Sequence, residues 1–320
     1  MKNTSVIASL LRRPAIVLLV LLFIFFGILA QPYFLNTLNI HNLLRQTSFD
    51  VPLALALMIV LIVGGIDLSV GSVLSMASAL TISFQSRGVY TGVLVALLFG
   101  AAVGAVNGLL VTKGGVVPFI ATLGTMTLIK GIMLFYTKQQ SIPGTNEAFT
   151  FWGNGSLGFF PVPFIAVLIL AVLIYCFLKF TRAGRNFYSV GGNSDCAYLA
   201  GIHVDKTKLA AFIMSGILAS FSGVLLASRL NSSTVQIGQD SNLWAIAAAI
   251  IGGASMTGGK GQVLTTFIAV ISLGILTNGM NLMRVLTYYQ IGIRALVLIT
   301  IVVLDAVFIS NEGRRKKGTL

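Results

Sequence analysis

Groups able to do chemistry are scarce in this chain. It has two histidines, two cysteines and eight acidic residues among 320. His41 and His203 fall in separate polar segments, and no pair of carboxylates lies close together within one apolar run. Acid–base pairs, a nucleophilic triad and a clustered metal site therefore all lack parts. Cys176 sits in an apolar run and Cys196 in a polar one, too few and too differently placed for a disulfide framework or a metal site. Charge itself is sparse, at 9% of residues against about 25% in a soluble domain. With 56% hydrophobic residues, this excludes a water-soluble fold.

What is abundant is long apolar sequence. Runs of about 18 residues or more suffice to cross a hydrocarbon core about 30 Å thick. Apolar runs bounded by charge, Gly, Pro or Asn clusters predict helices near 15–31, 46–63, 70–86, 91–112, 117–136, 163–180, 208–228, 243–255, 262–281 and 290–309. The expectation is an all-α polytopic membrane protein, one domain over residues 1–320 with about ten transmembrane segments. The runs after Leu68 and Asn242 are short and read as partial or broken helices. The first run follows Arg12 and Arg13 like a signal peptide, but it continues to about Ala30 without a convincing cleavage site and reads as a retained first helix.

The net charge of +13 does not indicate nucleic acid, because the basic residues sit at helix ends instead of gathering on one face. Cytoplasmic segments carry the excess of Lys and Arg. Placing the amino terminus inside puts Lys2, Arg12, Arg13, Lys113, Lys179, Arg182, Arg185, Lys206, Lys208, Lys260, Arg314, Arg315, Lys316 and Lys317 in the cytoplasm. Only Arg45, Arg87, Lys138, Arg229 and Arg284 then fall outside. Both termini are expected to be cytoplasmic, with a short leader at 1–14 and a basic tail at 310–320. Lys130 and Arg294 remain within or near helix ends, where snorkelling to the interface accounts for them.

Two loops stand out. The outer one, Thr137 to Pro163, carries Trp152, Phe159 and Phe160, suited to an interfacial belt or a docking surface. The inner one, 181–207, holds a short helix between Asn193 and Gly201, with Asn193 or Ser194 to start it and Gly201 to end it. An echo joins LIVGGIDLSVG (61–71) to AIIGGASMTGG (249–259), each an apolar run, a Gly pair and small polar residues.

The Gly64–Gly71 interruption places Asp67 and Ser69 in an otherwise apolar region. Irregular backbone at membrane depth needs protein or water partners. These two residues either cap the next helix at a cavity or cytoplasmic mouth, or form an ordinary turn with an Asp cap. Gly100, Gly104 and Gly108 make a smooth ridge for close helix approach. Asn107 and Asn278 are amides in apolar helices, available for interhelical hydrogen bonds or for hydroxyls in a pore. The segment GASMTGGKG (253–261) departs from a phosphate-binding loop, since Ala254 and Gly261 stand where Gly and Ser or Thr are needed.

Taken in order, GGIDLSVGS (64–72), NGLLVTKGGVVPFIATLGTM (107–126), TRAGRNFYSVGGN (181–193), LAGI (199–202), IGGASMTGGKG (251–261), NGMNL (278–282) and YYQ (288–290) closely resemble the permease subunit of ribose-type ABC importers. The resemblance spans nearly the whole chain. It implies a bacterial inner-membrane permease with no cofactor of its own. Its partners would be a cytoplasmic ABC ATPase that binds ATP and Mg, a periplasmic sugar-binding protein, a second identical or homologous permease copy and membrane lipid. The implied cargo is a monosaccharide, with autoinducer-2 or a polyol as variants. Under this resemblance Arg182, Arg185, Asn193, Asp195, Tyr198, Leu199 and Gly201 form the ATPase-coupling loop. Asp195 and Cys196 depart from the small residues usual after Gly-Gly-Asn. Asp67, Ser69, Asn107 and Asn278 are the pathway or helix-break candidates. An ion-coupled carrier and a membrane assembly protein without a pathway are the competing readings.

Overall fold

The computed structural model describes residues 14–238, 241–297, 299 and 300. Lys2, Arg12, Arg13, Asp305, the basic tail at 310–320 and residues 301–309 of the expected last helix lie outside the described residues.

Apolar runs free of breaking clusters fold as helices, because only there does each backbone group find a partner within its own segment. They are α1 (Pro14–Leu29), α2 (Thr37–Ile62), α3 (Val70–Ser83), α4 (Val89–Thr112), α5 (Pro118–Thr137) and α6 (Val162–Phe180). Two short helices, α7 (Arg182–Gly192) and α8 (Ser194–Leu199), precede α9 (Val204–Leu230), α10 (Ser241–Ile251) and α11 (Val263–Leu282). A further helical stretch covers 287–297. Among the described residues, α2, α4, α5, α6, α9 and α11 are long and apolar enough to cross a membrane. The short runs foreseen after Leu68 and Asn242 are α3, with 14 residues, and α10, with 11. At about 1.5 Å per residue neither reaches across a 30 Å core by itself.

The largest difference from expectation is the start of α2, which begins at Thr37 instead of near 46. Asn36 caps it, its side chain accepting from the Leu38 amide at 2.9 Å. The polar first turns, with Asn39, His41 and Arg45, hide this start from a hydrophobicity argument. The rest of α2 is the pole of the bundle. Leu53 to Ile62 are each at most 1% exposed, enclosed by α6, α9, α10 and α11. A helix apolar on every side belongs either in a protein core or in lipid, and α2 is in the core.

On α4 the burial pattern is the reverse of a soluble helix. Gly92, Ala96, Gly100, Gly104, Asn107 and Gly108 are buried, whereas Leu94, Leu98 and Val106 are exposed. In lipid, apolar surface gains nothing by hiding, and close backbone approach holds helices together instead. The ridge lies on α9, where a Cβ at Gly100 would overlap the Gly216 carbonyl and one at Gly216 would overlap the Gly100 carbonyl.

One end of the bundle is capped by the α5–α6 connection. Its Ile142–Pro143 strand pairs antiparallel with Ser232–Ser233 after α9. Gln85 accepts at Oε1 from the amides of Thr145 (2.7 Å) and Asn146 (3.2 Å). Arg45 donates to the Asn154 carbonyl at 3.0 Å, and the Asn154 amide group donates to the Arg229 carbonyl at 2.7 Å. Trp152, Phe159 and Phe160 remain exposed on it.

Replacing Gly216 with Val should separate α4 from α9 and destabilise the protein by at least about 1–3 kcal/mol, the usual cost of overpacking. Thermal unfolding of the detergent-solubilised protein checks this, with the lipid-facing Leu98→Val substitution expected to shift little.

Candidate functional site: the helix break, its cavity and a projecting loop

The chain from Val63 to Ser69 is not helical, and its two polar side chains are tied to other helices. Asp67 and Ser69 are each 1% exposed. Asp67 Oδ1 accepts from the Ser69 amide at 3.0 Å and the Ser69 hydroxyl at 2.6 Å, while Oδ2 accepts from the Ser215 hydroxyl of α9 at 2.8 Å. Asn107 of α4 donates to Ser69 Oγ at 2.9 Å and accepts from Thr125 of α5 at 2.8 Å. Thr122 of α5 donates to the Ile66 carbonyl at 3.2 Å, and the Asn242 amide of α10 lies 3.4 Å from the Leu68 carbonyl. The break is thus a buried junction of α2, α3, α4, α5, α9 and α10. Asp67 closes an Asx turn two residues ahead of itself, and Ser69, at the N-cap position of α3, makes no side-chain cap bond.

The echo between 61–71 and 249–259 is a shared backbone stop. Gly64 N donates to the Leu61 carbonyl and Gly65 N to the Val60 carbonyl, both at 2.9 Å. Gly253 N donates to Ile250 at 2.8 Å and Ala254 N to Ala249 at 2.9 Å. Both are Schellman stops, with Gly64 at φ 79° and Gly253 at φ 89°, a left-handed conformation that glycine adopts without a Cβ clash. The two stops meet. Gly259 N donates to the Ile62 carbonyl at 2.9 Å, and Gly191 of α7 touches both the Ile62 carbonyl and Gly259 N so closely that a Cβ would not fit. Tyr188 of α7 donates to the Gly261 carbonyl at 3.0 Å, and burial raises its phenol pKa above the usual value. The glycine-rich 253–261 segment is therefore the seat of α7 and connects α10 to α11.

From this seat α7 and α8 project. Thr181 caps α7 by accepting from the Gly184 amide at 3.0 Å. Phe187 and Val190 are buried against the bundle, the Phe187 ring edge-on to Phe177 at 5.6 Å. Asn193 caps α8 by accepting from the amides of Asp195 and Cys196, both at 2.9 Å. The helix ends in a third Schellman stop, with Gly201 N bonded to Tyr198 O at 2.9 Å and Ile202 N to Ala197 O at 3.0 Å. Ala197 anchors it inward, while Tyr198 and Leu199 stand 73% and 84% exposed. Arg182, Arg185 and Asp195 are exposed beside them.

Beside the break lies a cavity of about 520 Å³, lined by Leu68, α3 (Gly71, Ser72, Ser75), α5 (Phe119, Leu123, Met126, Lys130, Met133), Val235, Ile237 and Gly238 before α10, and α10 (Asn242, Leu243). Lys130 lies inside α5, is exposed and lines this space. A cation placed centrally in a membrane helix costs about 2.5–3.5 kcal/mol on insertion scales, and a hydrated cavity removes that cost.

The structure brings Asp67, Ser69 and Asn107 together, and groups Arg182, Arg185, Asn193, Asp195, Tyr198, Leu199 and Gly201 on the α7–α8 projection. Asn278 is elsewhere: it exchanges two amide hydrogen bonds with Asn39 of α2, at 2.8 and 3.0 Å. Ser215, Thr122, Thr125, Ser75 and Asn242 escaped sequence reasoning, since one hydroxyl or amide in an apolar helix carries no mark of the direction it faces. For Thr125 the only signal was its place in the NGLLVTKGGVVPFIATLGTM motif.

A lipid-sized bundle around a buried pole, with an interrupted helix beside a polar-spotted cavity, defines a membrane permease. Residues 39–302 match the family described as "Branched-chain amino acid transport system / permease component", and the chain belongs to this family. It is 40% identical to the ribose import permease protein RbsC of Bacillus subtilis, over 86% of this chain and 87% of the relative. It is 37% identical to the D-allose transport system permease protein AlsC of Escherichia coli, over 88% and 87%. The galactose/methyl galactoside import permease protein MglC of Haemophilus influenzae is 32% identical over 95% and 96%. No solved structure matches the chain.

Asp67→Ala should leave the Ser69 and Ser215 hydroxyls without their acceptor and lower stability by about 2 kcal/mol or more, since each buried donor left unsatisfied costs about 1–3 kcal/mol. An exposed helix cap would cost about 1 kcal/mol. Thermal unfolding in detergent separates the two values.

Proposed function

We propose that this chain is the membrane-spanning permease subunit of an ATP-driven importer that carries a monosaccharide, a ribose-like pentose or a hexose, across the inner membrane. The observation that carries the reading is the α7–α8 projection: two large apolar side chains, Tyr198 and Leu199, held in solvent by a helix capped at both ends. Exposed apolar anchors on a rigid element are what a docking surface needs. The ribose, allose and galactose permeases among its relatives support a sugar as cargo.

In this reading the projection enters a groove of a cytoplasmic ATPase, which holds ATP and Mg, and Arg182 and Arg185 set its approach. The projection lies at the same end of the bundle as Lys113, Lys179, Lys206, Lys208 and Lys260, and the excess of cations assigns that end to the cytoplasm. Counting the helix that the sequence predicts at 290–309, there are ten segments, and the charge pattern then puts both termini in the cytoplasm. The opposite cap, with Trp152, Phe159 and Phe160, faces the periplasm and the sugar-loaded binding protein. A second permease copy, identical or homologous, completes the membrane unit, and residues 1–320 act as one transport domain. ATP binding and hydrolysis move α7 and α8. The Gly191–Ile62–Gly259 contact passes that motion to α2, α10 and α11 without a flexible side chain in between.

The test is uptake of radiolabelled D-ribose, D-allose and D-galactose by proteoliposomes containing the permease, its ATPase and its binding protein. ATP-dependent uptake of one of these sugars is expected. Uptake driven by an ion gradient alone would overturn the reading. Leu199→Asp should weaken ATPase binding about tenfold or more, as loss of a central interface anchor does, while membrane insertion stays intact; co-purification and stimulated ATP hydrolysis measure it.

A further inference from the structure

We propose that the cavity between α3, α5 and α10 is a hydroxyl-binding subsite on the transport path, in which the Ser75 hydroxyl, the Lys130 ammonium and the Asn242 amide hydrogen-bond a polyhydroxylated solute. The proposal rests on the sugar-importer reading and adds to it a place where the solute pauses inside the permease.

Ser75 lines the cavity and is 6% exposed, and its Oγ, itself shut off from the open space, has no hydrogen-bond partner among the described residues. A buried hydroxyl without a partner is disfavoured. Ser78, one turn further along α3 and not bordering the cavity, is unpartnered among the described residues as well, but Ser72 and Thr81 are not. Ser72 donates to the Ser69 carbonyl at 2.9 Å, and Thr81, further along α3, donates to the Ala77 carbonyl at 2.8 Å. Ser75 is the hydroxyl of α3 that both borders the cavity and stays unpaired. A serine needs only rotation about its Cα–Cβ and C–O bonds to redirect its donor.

Lys130 supplies the second point. It borders the same space, is exposed, makes no ion pair or hydrogen bond with a described residue, and carries three donors. Asn242 supplies the third. Among the described residues its amide makes only long contacts, 3.4 Å to the Leu68 carbonyl and 3.6 Å to Met126 Sδ, which a sugar oxygen at about 2.9 Å would displace with gain. Met126, Met133 and Phe119 cover the remaining wall with apolar surface. The mixture of a few fixed polar groups on an apolar lining is that of a small-molecule site, and about 520 Å³ falls within the usual range of about 300–1,000 Å³. Three separated donors recognise adjacent hydroxyls without holding them tightly, which suits a site that must release what it receives.

The test uses the complete importer in proteoliposomes, with ATPase and binding protein, and D-ribose, D-allose and D-galactose as probes. Both uptake and ATP hydrolysis are measured. Ser75→Ala and Lys130→Met should each lower sugar moved per ATP hydrolysed by about three- to tenfold, the effect of losing one hydrogen bond. Hydrolysis stimulated by the loaded binding protein should stay at the wild-type rate. Ser75→Thr, which keeps the hydroxyl, should restore uptake, and Ser75→Leu, which fills the space, should nearly abolish it. Wild-type uptake per ATP in both Ser75→Ala and Lys130→Met overturns the subsite. Equal loss in Ser75→Thr and Ser75→Ala also overturns it, by assigning Ser75 to packing. Failure of the unsubstituted importer to move any of the three sugars overturns instead the sugar-importer reading.

Discussion

Backbone amides and carbonyls that leave a helix inside a membrane have no water to turn to, and each one left unpaired costs several kcal/mol. The seven residues between α2 and α3 impose that requirement at the centre of this protein. Four other helices supply side chains to it: Thr122 and Asn242 reach the Ile66 and Leu68 carbonyls, Ser215 and Asn107 hold Asp67 and Ser69, and Thr125 in turn holds Asn107. Once these bonds are in place, α3, α4, α5, α9 and α10 have fixed positions around the end of α2. The glycine ridge of α4 then allows α9 to come close enough for Ser215 to reach the carboxylate. Packing and hydrogen bonding depend on each other here, because neither the ridge nor the acid has a purpose without its partner.

The same end of α2 links the membrane interior to the projecting loop. Ile62 is the last helical residue before the break, and its carbonyl takes the Gly259 amide while Gly191 lies against it. A displacement of α7 is therefore felt within one residue of the break and of the segment that joins α10 to α11. Backbone contacts of this kind deform little, since any lateral shift must either break a hydrogen bond or overlap two main chains. Side-chain contacts would let such a motion dissipate in rotamer changes.

Much of this architecture was legible in the chain. The apolar runs located most helices within a few residues, and Asn193 and Gly201 announced both ends of α8. The start of α2 was not legible, since Asn39, His41 and Arg45 interrupt the apolar pattern while facing other protein segments. The cavity that Lys130 borders was not legible either, because only the neighbouring helices make it. The amides Asn107 and Asn278 looked equivalent in sequence. In the fold one completes the junction at Ser69, and the other is spent on Asn39 far from it.

The sequence by itself determined that this is a helical membrane protein, where its helices run, which glycines let them approach and where the chain must be interrupted. These follow from hydrophobicity, backbone freedom and capping, all properties of a residue and its near neighbours. The tertiary structure alone decided which hydroxyls and amides are paired and which are left over, and so distinguished Ser69, held from two sides, from Ser75, unpaired beside a cavity. Hydrogen bonds between helices depend on the rotation of each helix about its axis. That rotation is fixed only when all the neighbours have packed together.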